Sequence, residues 1–298
     1  MKTSTRSAFT LIELLVCVVI IAVLTSIAIP IISGARKKSS MAREISSARN
    51  IIASYLTYAA DHDGELMAGY GNFPAKDDKG NKVKSPINQR YPWRLAPYVK
   101  YDMRVFWGNE ADDRITALAK RGPHESYVYA VSVEPALGIN SVFVGGDSQI
   151  LPPDNAKALA QYGQFCTTRL PQASNASQLI VFASAAGFFE GQKMTGYFRI
   201  QPPNLITRNW VSEYNPKDDP ALHGNVDFRY EDKAVVALLD GHVEMMDFEQ
   251  MNDMRHWSNQ AANAEVRGWV LGGPEDGGGT GIVSAGGHVT TKPNEQQP

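Results

Sequence analysis

The sequence predicts an α+β protein in which one long N-terminal helix packs on a head with a mainly antiparallel β-sheet. Three observations support this fold class. Residues 14–32 carry no charge over 19 positions. Apolar residues then recur at spacings of three and four from Met41 to Ala59, which is the period of an amphipathic helix. Short apolar runs such as Leu179–Ala183 follow, and runs of this length between turn residues are typical of buried strands.

The N-terminal segment differs from a secretory signal peptide. A signal peptide has a shorter apolar core, and a small-residue cleavage site follows that core. Here the apolar run is long enough to cross a bilayer, and three basic residues from Arg36 follow it. The cleavage point that fits lies before the run, after Ala8. Cleavage there would create an ammonium group on Phe9, which is a natural partner for the Glu13 carboxylate.

The string Ala8-Phe-Thr-Leu-Ile-Glu-Leu-Leu-Val16 resembles the leader junction of type IV pilins and type II secretion pseudopilins. The resemblance implies a pilin-like fold, cleavage by a prepilin peptidase between Ala8 and Phe9, and methylation of the Phe9 amine. It also implies that Glu13 neutralises the N-terminus of an adjacent subunit during assembly. Ala8 departs from the family, which usually has glycine there. The alternative is a plain anchor with an incidental Glu13, at the cost of an unpaired intramembrane carboxylate.

These features divide the chain into a cleaved leader, 1–8, and a long helix, 9–62, of which about 9–32 is transmembrane. Pro30 removes one backbone donor and is expected to kink the helix. The apolar stripe of the second half faces the head. Charged residues of this half are expected on its other faces: Arg43, Glu44 and Arg49. The turn Asp61–Gly64 ends the helix, and its spacing does not fit a calcium loop.

Residues 63–271 are expected to form the globular head, and the Gly-rich residues 272–298 a flexible tail. The aromatic stretch Tyr91–Val99 is interpreted as core, and similar strings occur in large pseudopilin-like proteins. Pro152–Tyr162 is predicted to be a short helix or a long loop. Strands are predicted in four further places: Ser126–Val131, within Gly138–Gly145, Leu179–Ala183 and Gly196–Ile200.

The last patterned stretch, 226–244, predicts strands that end near Tyr230 and Leu239, with turns at Glu231-Asp232 and Asp240-Gly241. A short amphipathic helix is expected over Met245–Trp257. The stretch resembles the C-terminal motif of large pseudopilin-like proteins. Arg229 and Asp240-Gly241-His242-Val243 match that motif in register, but Tyr230 stands where the family has histidine. We expect a structural role, in which the Tyr230 hydroxyl donates to Asp240.

Other chemistry has little support in the sequence. Asp240, His242 and Glu244 would share one face of a strand. We interpret them as a turn aspartate beside ordinary solvent-facing residues, in preference to a metal site. No motif of a hydrolase or metalloprotease is present, so we expect no enzyme, no cofactor and no bound metal. The formal net charge is −2, which gives nucleic-acid binding no electrostatic support. The two cysteines, Cys17 and Cys166, do not indicate a disulfide framework.

Taken with the resemblance, these patterns predict a structural pseudopilin or pilin subunit. We expect it in the inner membrane as a single-pass protein, with its head in the periplasm or at the cell exterior. Its expected partners are the prepilin peptidase, other pilin-type subunits, an inner-membrane secretion platform and membrane lipid. The sequence does not separate a type II secretion pseudopilus from a type IV pilus. The alternative function is a membrane-tethered binding module, for example for glycans, that does not polymerise.

Overall fold

The structure is a computed structural model that describes residues 11–107, 112–189, 191–205 and 208–272. Its first element is the 51-residue helix α1, Leu11–Asp61. The chain divides into two units, Met1–Ala42 and Arg43–Pro298. Helix α1 contributes to both, because the division falls within it.

In the first unit, those apolar side chains of α1 that the structure describes from Leu11 to Ile32 are exposed. Leu11 is 81 % exposed and Leu24 is 62 % exposed. Thr25 satisfies its hydroxyl within the helix by donating to the Ile21 carbonyl oxygen at 2.8 Å. The helix continues through Pro30, and a kink there stays a prediction. Among the residues that the structure describes, no helix combines the length and apolar character that crossing a membrane requires.

In the second unit, α1 ends where the sequence predicts. Asp63 and Gly64 adopt positive φ angles of 52° and 81°, which the helical backbone cannot continue. The Gly64 amide donates to the Ala59 carbonyl oxygen at 2.7 Å and closes the last turn. The short helices that follow are α2 Tyr91–Leu95, α3 Asp112–Arg121, α4 His124–Val133, α5 Ala156–Tyr162 and α6 Phe248–Met251.

The described strands are β1 Leu137–Asn140, β2 Ile180–Ser184, β3 Ala186–Phe189, β4 Gln192–Thr195, β5 Arg199–Ile200, β6 Asn204–Leu205, β7 Arg208–Asn209, β8 Lys233–Leu238 and β9 Val243–Asp247. Five of them form one sheet in the order β5-β1-β2-β8-β9. Only β1 and β5 run parallel within it; the other three pairs are antiparallel. The predicted α+β class with a mainly antiparallel sheet is confirmed.

The head half of α1 packs on this sheet through its apolar stripe. Tyr55 is fully buried, and its ring meets Phe182 of β2 edge to face, with centroids 5.5 Å apart. The predicted core role of the Tyr91–Val99 stretch agrees with the burial of Trp93, whose indole nitrogen donates to the Val128 carbonyl oxygen at 2.8 Å. Burial of large aromatic rings supplies much of the apolar area that stabilises a core.

One strand prediction is wrong, and a second is displaced. Ser126–Val131 lies within helix α4, although its residues alternate, because Tyr127, Val128 and Val131 are buried at helical spacing and packing overrides strand propensity. The strand predicted within Gly138–Gly145 lies earlier, at β1. Gly138 lies in this strand, and a Cβ at this position would lie only 2.8 Å from the carbonyl carbon of Arg199 on β5. The sheet therefore needs glycine at this position for close strand approach.

Several predicted boundaries also differ. No strand forms over Val226–Tyr230, which makes only isolated bridges to Ala185 and Lys233, and the strand in Gly196–Ile200 is limited to β5. The helix predicted over Met245–Trp257 starts later, because β9 continues to Asp247. The Asp247 side chain then accepts from the Gln250 amide and caps α6, as N-terminal Asp residues commonly do.

Candidate functional site

The predicted processing site lies at the end of the chain that precedes α1. Ala8 and Phe9 fall outside the described residues, so the cleavage and methylation positions stay predictions. Glu13 lies in the first turn of the described helix. It is the only charged residue from position 11 to position 35.

A buried carboxylate, Glu44, marks the place where the head holds α1. Its exposed fraction is 0 %, so the expectation that it lies on a solvent-facing side of the helix is wrong. The Ser184 hydroxyl of β2 donates to its Oε1 at 2.5 Å. The Tyr230 hydroxyl donates to its Oε2 at 2.8 Å. These two hydrogen bonds compensate part of the cost of removing the carboxylate from water.

The expectation that the Tyr230 hydroxyl donates to Asp240 is therefore wrong. Its hydroxyl reaches α1 instead, and the side chain is buried. Burial, followed by the negative charge of Glu44, raises the pKa of Tyr230 well above its ordinary value. The phenol thus stays protonated and remains a hydrogen-bond donor at any physiological pH.

Arg229 joins this cluster to the backbone of the sheet. Its Nη2 donates to the carbonyl oxygens of Ala136 at 3.0 Å and Ala185 at 2.8 Å. The same nitrogen lies 3.7 Å from Glu44 Oε1. The guanidinium thus supplies the positive charge that a buried carboxylate needs. We name Glu44, Ser184, Arg229 and Tyr230 the helix clamp.

The second half of the C-terminal motif lies at the β8–β9 turn. Asp240 accepts from the His242 ring nitrogen Nδ1 at 2.8 Å and from the His242 amide at 3.1 Å. Burial opposes ionisation of Asp240, but these hydrogen bonds outweigh it and lower the pKa of Asp240. Gly241 has a φ of 96°, and a Cβ there would lie 3.2 Å from Leu56 of α1. The motif thus contacts α1 at a second place.

Two groups have side chains that metals commonly bind. At the first, His242 Nε2 lies 3.8 Å from Glu244 Oε1, but both side chains are more than 40 % exposed. At the second, ligand atoms of Asp77, Asp78 and His124 lie within 4.8 Å of one another. Both oxygens of Asp77 already accept hydrogen bonds, including one from His124 at 2.8 Å. Local hydrogen bonding explains the second group, so we assign no metal to it.

The sequence contains a signal for the helix clamp in the position of Glu44. Glu44 shares the helical spacing of Ala48, Ile51, Tyr55 and Ala59, all of which are fully buried. A charged residue in register with an apolar stripe indicates a buried partner across the interface. Its partners lie about 140 and 186 positions away in sequence, and helical spacing carries no information about such distant contacts.

Comparison with known protein families gives a match at the N-terminal segment. Residues 3–29 match the prokaryotic N-terminal methylation motif, which confirms the resemblance at the leader junction. No curated protein matches the chain, and no solved structure does. The motif implies processing by a prepilin peptidase and assembly with other pilin-type subunits. The chain therefore carries, at its N-terminus, a prepilin segment of the kind that type IV pilins and pseudopilins share.

Proposed function

We propose that this protein is a structural, non-enzymatic subunit of a type II secretion pseudopilus or a type IV pilus-like filament. A prepilin peptidase cuts it after Ala8 and methylates Phe9. The mature chain then resides in the inner membrane as a single-pass protein, with its head in the periplasm or at the cell exterior. An inner-membrane secretion platform transfers it from lipid into the growing filament.

The observation that carries this proposal is the match of residues 3–29 to the methylation motif. A second observation supports it. The described apolar side chains of α1 between Leu11 and Ile32 are exposed, and a surface of this kind needs lipid or protein contacts. A filament core supplies helix–helix contacts in place of lipid contacts.

Glu13 explains how assembly selects one register. A carboxylate within a membrane helix is costly, with an upper limit of about 2.5–3.5 kcal/mol at the bilayer centre on insertion scales. An ammonium group on Phe9 of a neighbouring subunit offsets this cost when the two groups meet in a medium of low polarity. Subunits that miss this register leave two unpaired charges in an apolar environment, so the correct stagger is favoured.

The test is a Glu13→Gln variant of the full chain, which keeps the side-chain size and removes the charge. It is expressed in cells that have a prepilin peptidase and a filament assembly system. We expect normal membrane levels and a loss of about tenfold or more in sheared filaments, because about 1.4 kcal/mol of lost pairing corresponds to one factor of ten. Quantitative immunoblots of the membrane and filament fractions measure both.

Thr25→Val is the matched control, because Thr25 lies in the same exposed apolar segment and bonds within its own helix. This variant should assemble like the wild type. If Glu13→Gln also assembles like the wild type, the proposed charge pairing is wrong. A membrane-tethered binding module that does not polymerise is the function that this result would favour.

A further inference from the structure

A pocket of about 630 Å³ opens on the head, between the loop that follows α1 and helix α2. Its walls include three aromatic rings and three basic side chains: Phe73, Trp93, Tyr101, Lys76, Lys82 and Arg94. No aspartate or glutamate is among the described residues that line it. A chain with a formal net charge of −2 therefore has a concave site of purely positive charge, which favours an anionic ligand.

Arg94 is the first reason to expect a ligand. The residue is only 8 % exposed, and its guanidinium donates to the carbonyl oxygens of Gly69, Gln89 and Arg90. In the described part of the chain, no carboxylate lies within ion-pair distance of it. Burial lowers the pKa of Arg94 to about 10, so the group remains charged at neutral pH. A buried charge without a countercharge is costly, and a bound anion lowers that cost.

The two lysines are the second reason. Lys76 and Lys82 face each other across an antiparallel bridge, and like charges directly opposite each other destabilise a strand pair. The acidic residues of the same loop are directed elsewhere. Asp77 and Asp78 lie 2.8 Å and 3.8 Å from the ring nitrogen of His124. Both lysines are exposed, so an anion that binds between them is within reach of two positive charges.

The aromatic wall is built in advance. Phe73 is 45 % exposed, and the Arg94 guanidinium lies 5.1 Å from its ring centroid. The Asn88 amide nitrogen donates to Asn72 Oδ1 at 2.7 Å and to the Phe73 carbonyl oxygen at 3.0 Å. These bonds hold the loop that presents the ring. Tyr101 adopts a left-handed φ of 57°, which is costly for a non-glycine residue.

We propose that this pocket binds a carboxylated sugar. The carboxylate lies between Lys76 and Lys82, close to the positive charge of Arg94, and the apolar face of the sugar ring stacks on Phe73. The pocket volume is in the range of small-molecule sites, which combine apolar walls with a few placed polar groups. A phosphate carries the same kind of charge and suits the two lysines equally well, so the test below includes AMP as the competing anion.

The test is isothermal titration calorimetry of the full chain in detergent micelles with trigalacturonate. The trimethyl ester of trigalacturonate keeps the rings and removes the charges, and should bind at least about tenfold more weakly. The double variant Lys76→Gln/Lys82→Gln should lose affinity by a similar factor. Phe73→Leu should weaken binding without changing the charge, since it removes the ring.

Lys79→Gln/Lys84→Gln is the matched control, because it removes two charges from the same loop outside the pocket lining. It should bind within about twofold of the wild type.

The proposal is overturned if the wild type does not bind trigalacturonate at millimolar concentration, if the ester binds equally well, or if both double variants lose affinity alike. Tighter binding of AMP, which joins an aromatic base to a phosphate, would also overturn it. The pocket variants should leave filament assembly unchanged, so this test and the Glu13 test fail independently.

Discussion

Glu44 and Tyr230 carry the contact between the start of the head half of α1 and the C-terminal motif. The carboxylate is fully buried and has two hydroxyl donors and one guanidinium near it. A partner removed from such a group leaves a buried charge less well compensated, which costs more than the bond contributes on formation. The helix clamp is therefore the part of the head most sensitive to small polar substitutions.

Tyr230→Phe removes only the hydroxyl that donates to Glu44. We expect the free energy of unfolding to fall by about 1.5–3 kcal/mol, the range for hydrogen bonds to charged groups. Urea denaturation of the full chain in detergent measures it. Tyr129→Phe is the control, because Tyr129 is 45 % exposed and should change stability by less than about 0.5 kcal/mol. Equal stability of the two variants would contradict the proposed role of the Tyr230 hydroxyl.

His223 is a second buried polar residue in the head. It is fully buried, and neither ring nitrogen has a hydrogen-bond partner among the described residues. Burial, then the charge of Lys193, lowers the pKa of His223 from 6.5 to about 4, although the nearby Asp227 opposes this. The folded state thus keeps the imidazole neutral over a pH range in which the unfolded chain binds a proton.

Because the pKa of His223 is lower in the folded state than in the unfolded chain, His223 does not reduce the free energy of unfolding above pH 6.5. It reduces this free energy increasingly as the pH falls towards 4. The full loss is about 3 kcal/mol at about 1.36 kcal/mol per pKa unit. Unfolding free energies from pH 8 to pH 4 measure it. His223→Phe keeps a ring against Tyr214 and Phe228 and should remove this part of the pH dependence. If both proteins lose stability equally, His223 does not titrate as described.

At the scale of elements, the β8–β9 hairpin and the segment before it fasten α1 at two places. Tyr230 precedes β8 and bonds to Glu44, and Gly241 follows it at a place where an added Cβ would lie 3.2 Å from Leu56. The two contacted positions are 12 residues apart on α1, which is about 18 Å along a helix. The resemblance to a C-terminal motif thus gains a physical meaning, since both halves of the motif hold the same helix.

Gly241→Ala tests the second contact. The substitution places a Cβ at a positive φ and against Leu56, so we expect a loss of more than about 1 kcal/mol in unfolding free energy. Gly80→Ala is the matched control, since Gly80 has a similar φ of 83° and open space around its Cβ. The control should show the backbone cost alone. If Gly241→Ala costs no more than Gly80→Ala, the contact with Leu56 has no energetic role.

The sequence predicted elements well where one physical rule dominates. The end of α1 followed from Gly64, and the β8–β9 hairpin followed from Asp240-Gly241 between apolar runs. Prediction from the sequence failed where contacts between residues far apart in the chain determine the local structure. Ser126–Val131 alternates like a strand in residue type, yet Tyr127, Val128 and Val131 are buried at helical spacing within α4, so the alternation did not indicate which residues the fold buries. The partners of Glu44 were likewise out of reach, because residue type and spacing do not encode contacts across the fold.

At the scale of the whole molecule, the chain joins two units of different chemistry. The unit Met1–Ala42 has an apolar helix surface and the methylation motif. The unit Arg43–Pro298 has a buried core, a mainly antiparallel sheet and the helix clamp. The proposed function assigns assembly to the first unit, and the proposed site for a carboxylated sugar lies in the second. Processing at Ala8 and Phe9 is the step that both the motif and the assembly mechanism require.

Mass spectrometry of the N-terminal peptide, on full chain isolated from membranes of cells with a prepilin peptidase, tests this step directly. We predict a mature chain that begins at Phe9 and carries one additional methyl group on its amine. A chain that retains Met1–Ala8, or begins at Phe9 without the methyl group, would contradict the account.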